Sequence, residues 1–132
     1  MVTVDTSALL ALFDARQREH SRVLELAQSE RGPLIVPVGI LSEVSCFIEG
    51  WSGHSALKFF LEDIQGGVYS LHCGDADIDR VLELVERYRD LSLGYADATV
   101  IACAERHGGR VATLDHRHFG VVAREGTIQI VP

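Results

Sequence analysis

Val2-Thr3-Val4-Asp5-Thr6-Ser7-Ala8-Leu9-Leu10 opens with three β-branched residues, turns through an acid and two hydroxyls, and runs into an apolar block. β-Branched runs suit strands, and Asp, Thr and Ser start helices, so the stretch reads as strand, turn and buried helix through Phe13. The same alternation continues downstream. Glu19 to Ser29 is a polar-rich helix with Val23, Leu24 and Ala27 on one side. Gly32-Pro33 breaks the chain before a second strand, Leu34-Ile35-Val36, which Pro37 ends. Ile40, Leu41, Val44, Phe47, Ile48 and Trp51 follow helical spacing, as do Ala56, Leu57, Phe60, Leu61 and Ile64. Val68 to Leu71 is a third strand, and Ile78, Val81, Leu82, Val85 and Tyr88 define an amphipathic helix. A helix from Ala96 to His107 ends at Gly108-Gly109, Val111 to Leu114 is a fourth strand, and Thr127 to Val131 is a candidate fifth.

Strands separated by helices imply an α/β fold: a mostly parallel sheet of four to five strands with helices on both faces. The 132 residues suit one domain, 1–132, and no repeat or linker suggests a boundary. With 47% apolar residues the chain can bury a core. No apolar run is long enough to cross a bilayer and no secretory leader is evident, so a cytoplasmic location is expected. Cys46, Cys73 and Cys103 are odd in number and lack CxxC spacing, which argues against a disulfide framework or a structural zinc site. They are expected to be small buried residues in a reducing compartment.

In parallel sheets, ligands bind outside the carboxyl ends of the strands. Asp5 directly follows the first strand and Asp115 the fourth. Asp97 lies three and four residues before Val100 and Ile101, so it shares the buried side of its helix, in the first turn. Glu43 borders the stripe formed by Ile40 and Phe47, shortly after the second strand. Each acid alone has an ordinary explanation: a helix cap, a dipole partner, a turn residue, a flank glutamate. Together they converge at one sheet edge, where carboxylates repel unless a cation intervenes. An oxygen cluster without His or Cys suits Mg²⁺ or Mn²⁺ better than zinc, and such ions are commonly shared with phosphate oxygens. That points to phosphoryl-ester chemistry.

The charge balance runs the other way. The net charge is −7, with Lys58 the single lysine beside eleven arginines, whereas nucleic-acid binders usually carry a basic footprint. Metal neutralisation, arginines gathered on one face, or a basic partner would each reconcile the two.

The chain resembles the PIN-domain nucleases, particularly the VapC toxins of bacterial toxin–antitoxin pairs. Val2 to Leu10 looks like the family's opening strand, first acid and hydroxyl pair. Pro37 through Leu41-Ser42-Glu43-Val44 looks like its second block, and Leu93-Gly94-Tyr95-Ala96-Asp97-Ala98 like its third acid at a helix start. Thr113-Leu114-Asp115-His116-Arg117-His118-Phe119 looks like its T-x-D-x-x-F ending. The resemblance implies cleavage of RNA with Mg²⁺ or Mn²⁺, with Asp5 and Asp97 the firmest metal ligands. Glu43 and Asp115 would complete the quartet, Asp115 binding a second ion or acting through water. Thr6, Ser7 and Thr113 would support the acids or touch phosphate. The resemblance also implies homodimerisation and inhibition by a cognate antitoxin, with Phe47, Trp51, Phe59 and Phe60 lining a groove for it where they are not core. Among the remaining polar residues, Arg117 suits a phosphate contact. His116 and His118 flank Asp115 and could bind RNA or a metal, although alternate positions in a loop are more often exposed to solvent.

Two other readings compete. One is another Mg²⁺-dependent phosphoryl-ester hydrolase or a receiver-like phospho-acceptor, for which Lys58 would have to lie near the pocket. The other is a non-catalytic acidic module that binds a basic peptide. Asp5→Asn separates them from an enzyme: lost RNA cleavage with retained partner binding marks the nuclease.

Overall fold

The computed structural model describes Met1–Pro132. Five strands, β1 (Thr3–Val4), β2 (Leu34–Pro37), β3 (Tyr69–His72), β4 (Arg110–Ala112) and β5 (Gln129–Val131), form one sheet in the order β3-β2-β1-β4-β5. Every pairing is parallel. Six helices connect them: α1 (Thr6–Phe13), α2 (His20–Ser29), α3 (Leu41–Gln65), α4 (Ile78–Arg87), α5 (Tyr95–Arg106) and α6 (His116–Ala123). The chain winds outward from β1 to β2 and β3, then crosses back to β4 and β5. Winding therefore reverses between β1 and β4, which opens a crevice at their carboxyl ends. Right-handed crossovers place α1 to α3 on one face and α4 to α6 on the other. The packing agrees, with α1 against α2 and α3, and α5 against α4 and α6.

Sheet residues covered on both sides must be apolar on both sides. Val2, Val4, Ile35, Val36, Val111 and Ala112 are accordingly buried. Helix α5 is the most deeply set, with Ala98 to Ala104 all buried, because its small side chains let it lie close to the strands. The arginines of this half serve as cross-links. Arg80 on α4 makes two hydrogen bonds, 2.8 and 3.0 Å, to Glu105 on α5. Arg106 pairs with the buried Asp77 in the turn before α4.

The spacing of the middle helices holds: α3 is two helical runs broken at Gly53, whose φ of 86° and ψ of 179° suit a residue without a Cβ. Pro37 closes β2, paired with His72. The structure departs from the sequence reading in two places. Residues 116–123 form a helix rather than a loop. Its eight residues are too few to establish a period, and its inward anchors, Phe119 and Val122, are the only signal. Of the cysteines only Cys103 is buried; Cys46 and Cys73 are exposed, and all three are free thiols. No helix is long and apolar enough to cross a membrane.

Candidate active site

Asp5 leaves β1 at the crevice, its backbone N–H donating to Ala112 O at 2.9 Å. Although it precedes α1, its side chain makes no capping bond. Instead Ser7 Oγ and Thr113 Oγ1 each donate to Asp5 Oδ2 at 2.8 Å. The two hydroxyls in turn accept from the backbone, Ser7 Oγ from Leu114 N at 2.9 Å and Thr113 Oγ1 from Asp115 N at 3.0 Å. A small polar lattice thus ties the end of β1 to the end of β4 and aims both bonds at one oxygen of Asp5. The carboxyl is 5% exposed, and this burial raises its pKa, with the bonds from Thr113 and Ser7 opposing.

Asp97 stands in the first turn of α5, half-buried. A helix N-terminus favours a carboxylate, yet its pKa is pushed up to about 6. Burial is the largest cause, followed by the charge of Asp5; Asp115 and Glu43 add to it and His118 opposes it. The acids expected to converge therefore feel one another. Glu43, in the first turn of α3, is the most exposed of the four, and Thr6 Oγ1 donates to its Oε2 at 3.1 Å. Gly39 permits this placement. A Cβ there would lie 2.8 Å from the Thr99 methyl and 3.2 Å from the Tyr95 ring, so only glycine lets the turn before α3 rest on α5.

Asp115 caps α6. Its Oδ1 accepts from His118 N at 3.1 Å and its Oδ2 faces His118 Nδ1 at 2.9 Å. Asp97, Asp115 and His118 each present a donor atom within 4.8 Å of the others. His118 is thus half-buried at the site rather than exposed in a loop, whereas His116 and Arg117 do project outward. Its signal was the spacing Asp115-x-x-His118, which matters only once residues 116–123 are helical and bring i and i+3 together.

The donor set fits a hard divalent cation. Carboxylate oxygens dominate and no thiol is present, with Asp97 and Asp115 offering oxygens within 4.8 Å of one another. The acids line none of the molecule's cavities, the largest of which, about 510 Å³, opens by Pro33, Leu34 and Tyr69 at the far ends of β2 and β3. The site is an open edge, suited to an extended substrate. Lys58 is exposed on α3, 3.5 Å from Glu62, which removes support for a receiver-like reading. The arginines do not pool around the acids: most are in ion pairs, and Arg18, Arg31, Arg117 and Arg124 are the ones outside them. Of the aromatics, Phe60 is core, while Trp51 and Phe59 are 57% and 63% exposed. Phe47 stacks on Trp51 at 5.0 Å.

Comparisons with known proteins agree with this geometry. The chain is 36% identical over 121 residues to Ribonuclease VapC26 of Mycobacterium tuberculosis, covering 90% of each protein. The fold matches the crystal structure of Mycobacterium tuberculosis VapC20, described as a sarcin–ricin loop cleaving toxin, with a TM-score of 0.81 at 22% identity over 100% of both chains. It also matches FitAcB from Neisseria gonorrhoeae, with a TM-score of 0.65 at 14% identity over 100% of this chain and 97% of that one. Residues 2–125 match the PIN domain family model, and with four acids gathered where the sheet changes direction, the chain belongs to the PIN domain family.

Proposed function

We propose that this protein is a metal-dependent endoribonuclease, the toxin of a toxin–antitoxin pair, with residues 1–132 acting as one nuclease domain. The observation that carries the reading is the grouping of Asp97 and Asp115, with oxygens within 4.8 Å of one another, at the sheet edge where Asp5 leaves β1 tied to Thr113. The likeness to Ribonuclease VapC26 supports RNA as the substrate.

Asp5, Asp97, Glu43 and Asp115 would hold Mg²⁺ or Mn²⁺. When bound, the ion would activate water and offset charge on the attacked phosphate. The chain's own residues prepare the place. Ser7 and Thr113 occupy Oδ2 of Asp5, which fixes the carboxylate and leaves Oδ1 without a hydroxyl partner. Thr6 steadies Glu43 across the crevice. Arg117, exposed, outside any ion pair and two residues from Asp115 in sequence, would contact a phosphate of the RNA. A bound cation would relieve the repulsion at Asp97 and, by its remaining positive charge, attract the phosphate.

The exposed Trp51 and Phe59, with Phe47, support a contact face on α3 for the antitoxin or for a second copy in a homodimer. The overall acidity favours a basic antitoxin segment. Its place of action is taken to be the cytoplasm. The test is incubation of antitoxin-free protein with cellular RNA, with Mg²⁺, Mn²⁺ or EDTA, and mapping of new 5′ ends. Metal-dependent ends that vanish with Asp5→Asn are expected; an inert wild type that remains folded overturns the reading.

A further inference from the structure

We propose that His72, His107 and Cys73 form a second metal site, separate from the carboxylate edge, that takes Zn²⁺ and pins the edge strand β3 to the end of α5. The proposal stands independently of the nuclease reading.

The two rings come from distant parts of the chain. His72 closes β3 and His107 caps the C-terminal end of α5, whereas Asp97 stands at the other end of that helix. The ring centroids lie 4.2 Å apart with planes at 66°. Two imidazoles bound to one ion at about 2.1 Å have centroids roughly 4.5–5 Å apart, so a small rotation brings both onto one cation. Local spacing gives no sign of such a pair, which is why the lack of a CxxC pattern left zinc unsupported in the sequence.

The hydrogen bonding of His107 suits a ligand. A carbonyl oxygen has no proton to give, so Nδ1 donates to Cys103 O at 2.8 Å, and the neutral ring presents its lone pair on Nε2. Metal-bound histidines are commonly oriented by a backbone carbonyl in this way.

The surroundings supply the rest. Both rings line a crevice of about 170 Å³ together with Cys73, Asp75, Asp77 and Arg106. Cys73 is a free, exposed thiol next to His72 in the chain. The charge of Arg106 is offset by its ion pair with Asp77, and Asp75 is exposed outside any ion pair, so the crevice favours a cation. The negative end of the α5 dipole points the same way. Two imidazoles and a thiolate form a borderline-soft donor set that suits Zn²⁺, whereas Mg²⁺ is matched by oxygen. On binding, Cys73 releases its proton to solvent and water fills the fourth position. Strand β3 has β2 as its one neighbour in the sheet, so a bound ion adds a second tie and stabilises the fold by mass action.

The experiment uses untagged, full-length protein with Co²⁺ as the spectroscopic stand-in for Zn²⁺, in excess Mg²⁺ to compete at the carboxylate edge. Absorption titration follows the thiolate-to-Co²⁺ charge-transfer band, and displacement by Zn²⁺ gives its affinity. Expected is one bound Co²⁺ with that band in the wild type, in Cys46→Ser and in His118→Ala. The band should vanish in Cys73→Ser, and Zn²⁺ affinity should fall at least about tenfold in His72→Gln and in His107→Gln. Zn²⁺ should also raise the melting temperature of the wild type more than that of these three variants. A wild type without the charge-transfer band overturns the proposal, whatever the variants do. A band that survives in Cys73→Ser, or an unchanged Zn²⁺ affinity in either histidine variant, overturns it as well. None of these outcomes bears on the nuclease reading, because Asp5, Glu43, Asp97 and Asp115 stay unaltered throughout.

Discussion

Asp97 carries the strain of the metal-free site, and its sign can be followed through pH. Its folded pKa of about 6 stands above the ordinary 3.8, so between those values the folded state holds a proton that the unfolded chain has released. Stability therefore falls as pH rises through that window, and the full penalty persists above it. Asp97→Asn removes the charge. In EDTA, the variant is expected to melt higher than the wild type at pH 7.5, with the gap shrinking toward pH 4.5; thermal denaturation at the two values checks it. Divalent cation should close the gap from the wild-type side. The same variant, and Asp5→Asn, are expected to lose about 10³-fold in RNA cleavage rate, the scale of removing a group that offsets transition-state charge. Thr113→Val deletes a donor to a buried carboxyl and should cost about 2 kcal/mol in denaturant unfolding. Asp5 was legible because it directly follows β1, Asp115 because it lies just beyond the end of β4, and Asp97 because it shares a face with Val100 and Ile101. His118 was noticed beside Asp115 but expected in a loop, since its half-buried place depends on a helix that the local pattern was too short to reveal.

Elements position these residues through close approaches that a one-dimensional pattern does not encode. The turn at residues 38–40 rests on α5 through Gly39, between Tyr95 and Thr99, the two residues that bracket Asp97 on that helix, and leads directly into the turn of α3 that carries Glu43. Gly39→Ala forces a methyl against Thr99, which is buried and β-branched and so yields poorly. The expected result is a destabilisation of about 1–3 kcal/mol with weakened Mn²⁺ and Mg²⁺ binding, checked by unfolding and calorimetry on one sample. A loss of stability with unchanged metal affinity would detach the contact from the site. Most helices were readable from their apolar spacing, with ends displaced by a residue or two. The break between the middle helices was readable too, because Gly53 is the residue that can take a positive φ between two helical runs. Helix α6 escaped because its start, Asp115, looks the same as a turn residue until its cap bond to His118 N is seen.

At the scale of the whole molecule, the alternation of strands and helices announced a parallel sheet, but not its order. Strand order follows from which crossover packs best, and that is decided by contacts between segments far apart in the chain. The charge distribution has a measurable outcome. With most arginines held in internal ion pairs, few phosphates can be neutralised by the protein itself. Binding of uncleaved RNA to Asp5→Asn should therefore show a shallow salt dependence, a log–log slope of about −1 to −3, and Arg117→Ala should reduce its magnitude by about one. A steep slope would mean that basic groups outside this set carry the RNA. The hydroxyl of Thr113 reaches back 108 positions to hold Asp5. A polypeptide still being synthesised thus lacks its cutting edge until β4 has emerged and docked beside β1.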